Sequence, residues 1–338
     1  MDASAQYFSP AEAALRLGVS AKALRLYERR GLVMPLRSEA GWRAYGPQQM
    51  ARIGEVVALR ALGLTLAQIA RLLTGEERGL EAALQAHQGV LEGQLGRLAV
   101  AVDKVRAMRN EIAAGRIATV GELVGLAGGG SEQAIAFELP WPWGGERFEL
   151  RDLPVVTYII GSLGSGKTRL AMRLAEVIPD ACFVGLDRDA VAAEALLAGD
   201  PALKAEVDQI LAWLVDDGAE VSPALTALLV SIVGGRATTV VVDMVEQDLG
   251  HDTQQALAAY LRLGTIGKRL FLMTRSSSML DLQAVGPNEA IILCPANHSM
   301  PRRVLPYSGA EGYESVENCL ATPEVRARIA VRPAVGQP

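Results

Sequence analysis

Hydrophobic residues recur at helical spacing in the first third of this chain and in short continuous runs in the rest. Over residues 7–31 the spacing predicts two helices joined by a tight turn. Ser9 with Glu12 forms a capping box for the first helix, Gly18 ends it, and Ser20 caps the second. Residues 41–45 predict a short β-wing, and residues 47–73 return to helix, with a separate short helix from Leu64 to Leu73.

From about residue 80 to 112 the apolar positions mostly step by three and four, which is typical of a helix with a coiled-coil seam. Arg109 interrupts the seam, and His87 lies within it as a packed residue. The seam could dock on the chain's own body, although a partner helix is the favoured interpretation. The apolar positions are Leu84, Leu91, Leu95, Leu98, Val102, Val105 and Ile112.

Glycine and proline then crowd the chain up to residue 145, which predicts a linker. Within it, the PWPW stretch (140–143) could anchor the linker to the following domain. The predicted domains are a head at 1–75, a dimerisation helix at 76–116, a linker at 117–145 and a body at 146–338.

The body alternates strand-like and helical stretches, and this alternation predicts an α/β fold with a mostly parallel sheet covered on both faces. The predicted strands are 155–160, 182–186, 238–243, 269–274 and 290–294. The predicted helices include 167–178, 253–263 and 322–330.

The distribution of charged residues also distinguishes the head from the body. Residues 1–73 hold 10 Lys/Arg and 5 Asp/Glu, a net of +5, whereas residues 121–338 hold 17 and 27, a net of −10. A basic head on an acidic body suggests that only the head meets a polyanion.

Three cysteines lie far apart, at Cys182, Cys294 and Cys319, which argues against a disulfide framework and suits a reducing compartment. No apolar run approaches the roughly 18 residues of a membrane helix. The N-terminus lacks the pattern of a signal peptide. We therefore expect a cytoplasmic protein without a membrane partner.

The second predicted helix carries basic residues suited to a DNA major groove. Lys22, Arg25 and Arg29 share one face, Tyr27 and Tyr45 can donate hydrogen bonds to phosphates, and Arg43 on the wing adds a contact. The candidate DNA-binding residues are Ser20, Lys22, Arg25, Tyr27, Arg29, Arg43 and Tyr45.

The same region closely resembles the N-terminal domain of MerR-family transcriptional regulators, over about residues 7–112. The resemblance lies in VS-x-x-x-LR-x-YE (19–28), Gly31-Leu32, the wing G-x-R-x-Y (41–45) and LR-x-LG-x-[ST]L-x-x-I (59–69). Leu26 departs from the pattern, where the family often has an aromatic residue.

The resemblance implies an α-helical winged helix-turn-helix, a long antiparallel dimerisation helix and a homodimer on double-stranded promoter DNA, where RNA polymerase acts. It also implies DNA-contact roles for Arg25, Tyr27, Arg43 and Tyr45. Metal sensors of this family use cysteines around the dimerisation helix. Because this chain has no cysteine before Cys182, we expect an effector function in the body instead.

GSLGSGKT, at 161–168, matches the phosphate-loop pattern G-x-x-x-x-G-K-[ST] between a predicted strand and a predicted helix. Backbone N–H groups of such a loop surround phosphates, Lys167 would reach the β- and γ-phosphates, and Thr168 would ligate Mg²⁺. The candidate nucleotide-binding residues are Gly161, Ser162, Leu163, Gly164, Ser165, Gly166, Lys167 and Thr168.

Asp243 ends a predicted buried strand and is the second candidate Mg²⁺ ligand. Met244 follows it where many ATPases place a catalytic glutamate, so Glu246 is the candidate catalytic residue and any ATP hydrolysis is expected to be slow. The absence of a guanine-selecting NKxD motif favours ATP over GTP.

The order of the body's motifs weakly resembles ABC-type ATPases, with Ser222 and Thr274-Arg275 near that class's signature and switch positions. There is no LSGGQ. An alternative resembling nucleotide kinases would use Asp187 and Asp189 as substrate ligands.

These features predict a DNA-binding regulator whose body binds ATP and Mg²⁺ and thereby modulates promoter binding or distortion. Two alternatives stay open. The body could be a kinase or NTPase acting on a metabolite, with an autoregulatory head. The loop could also be vestigial, in a body that binds an apolar ligand or a protein.

Overall fold

The structure is a computed structural model that describes residues 6–37, 41–76, 80–116, 135–151, 153–264, 266–286 and 288–321. We call residues 6–76 the head and residues 135–321 the body. The predicted helix at 322–330 lies outside the described residues, as does most of the predicted linker. No described helix is both long enough and apolar enough to cross a membrane.

The head is helical, as predicted. Its helices are α1 (Pro10–Leu17), α2 (Ala21–Arg29), α3 (Pro47–Ala61) and α4 (Leu66–Leu73), and the two-residue strands β1 (Leu36–Arg37) and β2 (Arg43–Ala44) pair antiparallel as the wing. The predicted capping box is present, since Ser9 accepts from Glu12 N–H and the Glu12 carboxylate accepts from Ser9 N–H. The predicted cap at Ser20 and the stop at Gly18 (φ 64°) are present too.

The long helix α5 (Leu80–Ala113) runs without interruption over 34 residues. Several of its large apolar side chains are exposed, at the spacing that the sequence predicted. They are Leu84, Leu91, Leu95, Val102, Val105 and Ile112.

The body contains a six-stranded sheet. Its strands are β5 (Val156–Ile160), β6 (Ala181–Val184), β7 (Thr239–Val242), β8 (Arg269–Met273), β9 (Glu289–Leu293) and β10 (Arg302–Val304). Their order is β10-β9-β5-β8-β7-β6, with β10 antiparallel to β9 and the other pairs parallel. The predicted mostly parallel sheet is therefore confirmed.

The body's helices are α6 (Lys167–Val177), α7 (Ala190–Gly199), α8 (Pro201–Asp216), α9 (Pro223–Val233), α10 (His251–Arg262) and α11 (Tyr313–Cys319). Alternate strand residues enter separate cores, because side chains alternate between the faces of a strand. Tyr158 and Val240 pack into one core, whereas Ile159 and Val241 pack into the other. Both faces of the sheet are thus covered, as predicted.

The predicted boundary of the body at residue 146 lies too late in the chain. Strands β3 (Ile135–Glu138) and β4 (Arg147–Leu150) form an antiparallel hairpin, and Phe137 and Trp143 are buried in a body core. The glycines and prolines of residues 140–145 belong to the turn of this hairpin, so composition that indicated a linker marks a tight turn instead.

Candidate functional site

The helix α2 presents the basic residues predicted to meet DNA. The side-chain oxygen of Ser20 accepts from Ala23 N–H at 3.1 Å, which fixes the start of the helix. Arg25 is exposed, whereas Lys22 and Arg29 reach residues of the body. Ser20 itself is buried, so its position supports the helix rather than presenting a free hydroxyl.

The two tyrosines do not present free hydroxyls to a phosphate. Tyr45 is fully buried and its hydroxyl donates to Glu28, which also accepts from Arg43 Nε at 2.8 Å. Tyr27 is buried in the core of the head, and this burial raises the pKa of its hydroxyl. The predicted phosphate contacts of Tyr27 and Tyr45 thus disagree with this arrangement, because the spacing along the chain did not reveal their burial.

The loop at 161–168 joins β5 to the N-terminus of α6, as predicted. Gly164 and Gly166 adopt φ values of 78° and 87°, which disfavour side chains. A Cβ at Gly161 would lie 2.4 Å from the backbone oxygen of Cys294 and 2.5 Å from Ser165 Oγ. The loop therefore requires glycine for close backbone approach.

Lys167 folds back over this loop. Its Nζ donates to the backbone oxygens of Gly161 at 2.8 Å and Ser162 at 2.6 Å. Burial lowers the pKa of this amine, and the nearby charge of Arg275 adds to the effect. A partly buried cation at the N-terminus of a helix is suited to binding an anion.

Thr168 and Asp243 come together, as predicted for a pair of Mg²⁺ ligands. Thr168 Oγ1 donates to Asp243 Oδ2 at 3.1 Å, across the strand β8 that separates β5 from β7. Asp243 is buried, and this burial raises the pKa of its carboxyl, while Thr168, Lys167 and Arg188 act in the opposite direction.

Glu246 lies deeper than the predicted catalytic role requires. It is buried, and its Oε1 accepts from Arg275 N–H at 2.9 Å, so it ties the segment after β7 to the end of β8. The backbone between Asp243 and Glu246 turns sharply, with Met244 at φ 44°, a conformation that non-glycine residues rarely adopt.

Arg188 is a site residue that sequence reasoning missed. Its Nη2 donates to the backbone oxygens of Asp243 and Met244, both at 2.7 Å, and to Gln247 Oε1 at 3.2 Å. It thereby holds the turn that carries Asp243. The available signal was an arginine shortly after a predicted strand, in GLDRD, between the two aspartates.

The residues that the nucleotide-kinase and ABC-type alternatives would use include two helix caps. Asp189 caps α7 by accepting from Val191 N–H at 2.8 Å, and Asp187 is exposed. Ser222 caps α9, accepting from Leu225 N–H at 3.2 Å. Thr274 is fully buried at the end of β8.

The hairpin turn supports the loop from outside. A Cβ at Gly166 would lie 2.7 Å from the Trp143 ring and 2.9 Å from Pro142 Cδ. Trp143 Nε1 donates to Ser299 O at 3.0 Å, and His298 Nε2 lies 3.0 Å from Gly164 O. The PWPW stretch, predicted to anchor the linker to the body, thus packs against the loop at 161–168.

Residues 8–76 match the model of the MerR HTH family regulatory protein. A probable heavy metal-dependent transcriptional regulator of Haemophilus influenzae is 33% identical over 102 residues, 28% of this chain and 80% of that protein. The HTH-type transcriptional regulator TnrA of Bacillus subtilis is 33% identical over 23% of this chain and 71% of its own.

Two solved structures are also similar. The HTH-type regulator SkgA of Caulobacter crescentus has 28% identity and a TM-score of 0.24, over 35% of this chain and 86% of that one. HiNmlR, described as a MerR family regulator lacking the sensor domain, bound to promoter DNA, has 24% identity and a TM-score of 0.25, over 32% of this chain and 92% of its own.

Proposed function

The chain belongs to the MerR HTH family of regulatory proteins, and from that premise we propose that it is a promoter-binding transcriptional regulator whose body binds a nucleoside triphosphate with Mg²⁺. The DNA-binding part is common to the family. The nucleotide-binding part rests on one observation, the meeting of Lys167, Thr168 and Asp243 at the glycine loop.

The residues present fit a triphosphate and its metal ion. Gly161 has no room for a side chain, the Lys167 amine donates to oxygens of the loop, and Thr168 pairs with a buried carboxylate. Hydroxyl and carboxylate oxygens suit Mg²⁺, which prefers hard oxygen ligands. Lys167 would bind phosphate oxygens, whereas Thr168 and Asp243 would hold the metal ion.

The nucleotide would bind more tightly to one of two arrangements of the protein than to the other. A ligand shifts such an equilibrium only by its differential affinity for the two states. Hydrolysis is not needed for this role, and the burial of Glu246 gives no support for rapid turnover. We therefore assign the body to sensing.

We further propose that the protein is a homodimer through α5. Leu84, Leu91, Val105 and Ile112 are exposed at spacings that are multiples of seven, and Leu95 and Val102 extend the same stripe. A long helix with an exposed apolar stripe needs a partner. Sedimentation should give a dimer for the wild type and a monomer for Leu91→Glu combined with Leu95→Glu.

Calorimetric titration with ATP and Mg²⁺ tests the nucleotide site. Wild type should bind, Lys167→Ala should lose at least tenfold in affinity, and Lys204→Ala should match wild type. Lys204 is a fair control because it is an exposed lysine that pairs only with Asp208 on its own helix, among the described residues.

The coupling to DNA is tested with a duplex selected by this protein from a random library. Affinity or DNA distortion should change when ATP and Mg²⁺ are added to wild type, and should not change for Lys167→Ala. Unchanged DNA binding despite nucleotide binding would refute the sensor. Turnover of a metabolite near 1 s⁻¹ would favour an enzyme, and failure to bind any nucleotide would favour a vestigial loop.

A further inference from the structure

The basic helix of the head contacts the body through two of its basic side chains. Lys22 Nζ donates to Ser277 O at 3.0 Å, and Arg29 Nη2 lies 3.4 Å from Asp252 Oδ1 and 3.3 Å from Gln255 Oε1. These are two of the three residues on the face that would read DNA. A duplex and the body therefore cannot occupy this face at the same time.

Asp217 is the centre of the contact. Its side chain is only 2% exposed, and its carboxylate accepts from Arg60 Nη1 at 2.8 Å, Arg60 Nη2 at 3.1 Å and Leu66 N–H at 3.0 Å. Its backbone oxygen accepts from Arg30 at 3.3 Å. The donors to this carboxylate, among the described residues, belong to the head although Asp217 belongs to the body.

Other body residues extend the contact around Asp217. Trp213 Nε1 donates to Gly63 O at 3.2 Å, and the guanidinium of Arg60 lies 5.4 Å from the Trp213 ring centroid. Asp216 pairs with Arg71 at 3.5 Å. We call the body side of this contact the docking face; it consists of Trp213, Asp216, Asp217, Asp252, Gln255 and Ser277.

The chemistry of the docking face matches that of a nucleic acid backbone. It meets five cations of the head with three carboxylates, two backbone oxygens and the side-chain oxygen of Gln255, and phosphate oxygens would satisfy the same cations. The cations are Lys22, Arg29, Arg30, Arg60 and Arg71. The basic head and the acidic body, whose opposite charges are visible in the sequence, thus attract each other within one molecule.

We propose that the docking face is an intramolecular competitor of DNA, so that this arrangement is a closed state in which the DNA-reading helix is masked. The proposal rests on the DNA-binding function proposed above and adds its regulation. Opening the contact releases Lys22 and Arg29 from their partners in the body, and the closed population sets how far the affinity for DNA is reduced.

The docking face is also joined to the phosphate loop. Ser277, which accepts from Lys22, follows β8 in the segment that contains Arg275. Arg275 N–H donates to Glu246, which lies three residues after Asp243, and Asp243 accepts from Thr168 of the loop. A ligand bound at the loop would therefore act, through Asp243 and Glu246, on the segment that holds the head.

Fluorescence anisotropy with a labelled 30-base-pair duplex of random sequence tests the competition in the full chain. Asp217→Asn should bind the duplex at least tenfold more tightly than wild type, because removing one partner of a buried pair leaves the contact unfavourable. Asp208→Asn is the matched control. Asp208 carries the same charge, lies in the helix α8 that Asp217 caps, and pairs with Lys204, so the variant should bind like wild type.

A second variant covers the case in which Asp217→Asn does not fold. Asp252→Asn removes only the partly exposed pair with Arg29 and should tighten binding about two- to threefold, as a pair of this kind is weak. If wild type binds the duplex and both variants bind it no more tightly, the competition is overturned while the DNA-binding function stands.

Hydrogen exchange then distinguishes a failure of the proposed competition from a failure of the proposed DNA-binding function. Adding the duplex to wild type should increase exchange in peptides that cover 213–218 and 60–66, since DNA displaces the docking face. Binding without this increase would overturn the proposal. If wild type and all variants fail to bind DNA, the proposed function fails, and the competition fails with it.

Discussion

Replacing Gly161 by alanine tests the close packing on which the nucleotide site depends. The new Cβ would lie 2.4 Å from the backbone oxygen of Cys294, which directly follows strand β9, and 2.5 Å from Ser165 Oγ. The serine can rotate, but the backbone oxygen cannot move without disturbing the sheet. Forced overpacking of this kind costs about 1–3 kcal/mol.

Urea unfolding followed by tryptophan fluorescence measures this cost, because Trp143 packs directly against the loop. At about 2 kcal/mol and a slope of about 2–3 kcal/mol per molar, the midpoint should fall by roughly 0.5–1 M. The affinity for ATP should fall as well, since the loop must shift to accept the methyl group.

Gly199→Ala is the matched control for this experiment. Gly199 ends helix α7, its added Cβ would meet nothing within 4 Å, and it is not among the glycines with positive φ. Alanine there should be neutral or stabilising by up to about 1 kcal/mol. Equal midpoints for the two variants would refute the packing argument.

Three further predictions concern single side chains. Asp243→Asn should abolish the Mg²⁺ dependence of nucleotide binding, measured by calorimetry with and without Mg²⁺. The same change should stabilise the nucleotide-free protein near neutral pH. Burial raises the pKa of Asp243, so the stability that this carboxyl contributes is present below the unfolded-state pKa and is lost as pH rises through the folded-state pKa. Asparagine does not ionise and therefore avoids this loss. Arg188→Gln should weaken nucleotide binding, seen in the same titration, by releasing the turn that carries Asp243. Tyr45→Phe should destabilise the head by about 1 kcal/mol in thermal unfolding, because Glu28 loses a hydrogen bond.

Local features of the chain were predicted well. The caps at Ser9 and Ser20 and the stop at Gly18 depend on hydrogen bonds and backbone conformations within a few residues, so the sequence near them was sufficient. The five parallel strands of the body were predicted to within one or two residues, because apolar runs between turn signals have few alternatives, whereas β3, β4 and β10 were not predicted. The contact of Thr168 with Asp243 also followed from two motifs at the ends of strands.

The predictions that disagree with the structure concern the burial of side chains, the nature of one turn and contacts between residues far apart in the chain. Tyr27 and Tyr45 have the residue type and spacing of phosphate contacts, but a sequence does not state which face of a helix or wing meets the core. The turn at residues 140–145 was mistaken for a linker because glycine and proline mark tight turns and flexible segments alike. Arg188 was missed because its acceptors, Asp243 and Met244, lie more than fifty residues away.

The sequence by itself determined the family, the helical head, the order of strands and helices, and the loop at 161–168, since each depends on residue types at short spacing. Only the tertiary structure decided that the acidic body meets the basic helix, and that Asp217 is shared between the body and the head. Such contacts join residues about 150 positions apart. They depend on how two folded units present their charges to each other, which no local pattern encodes.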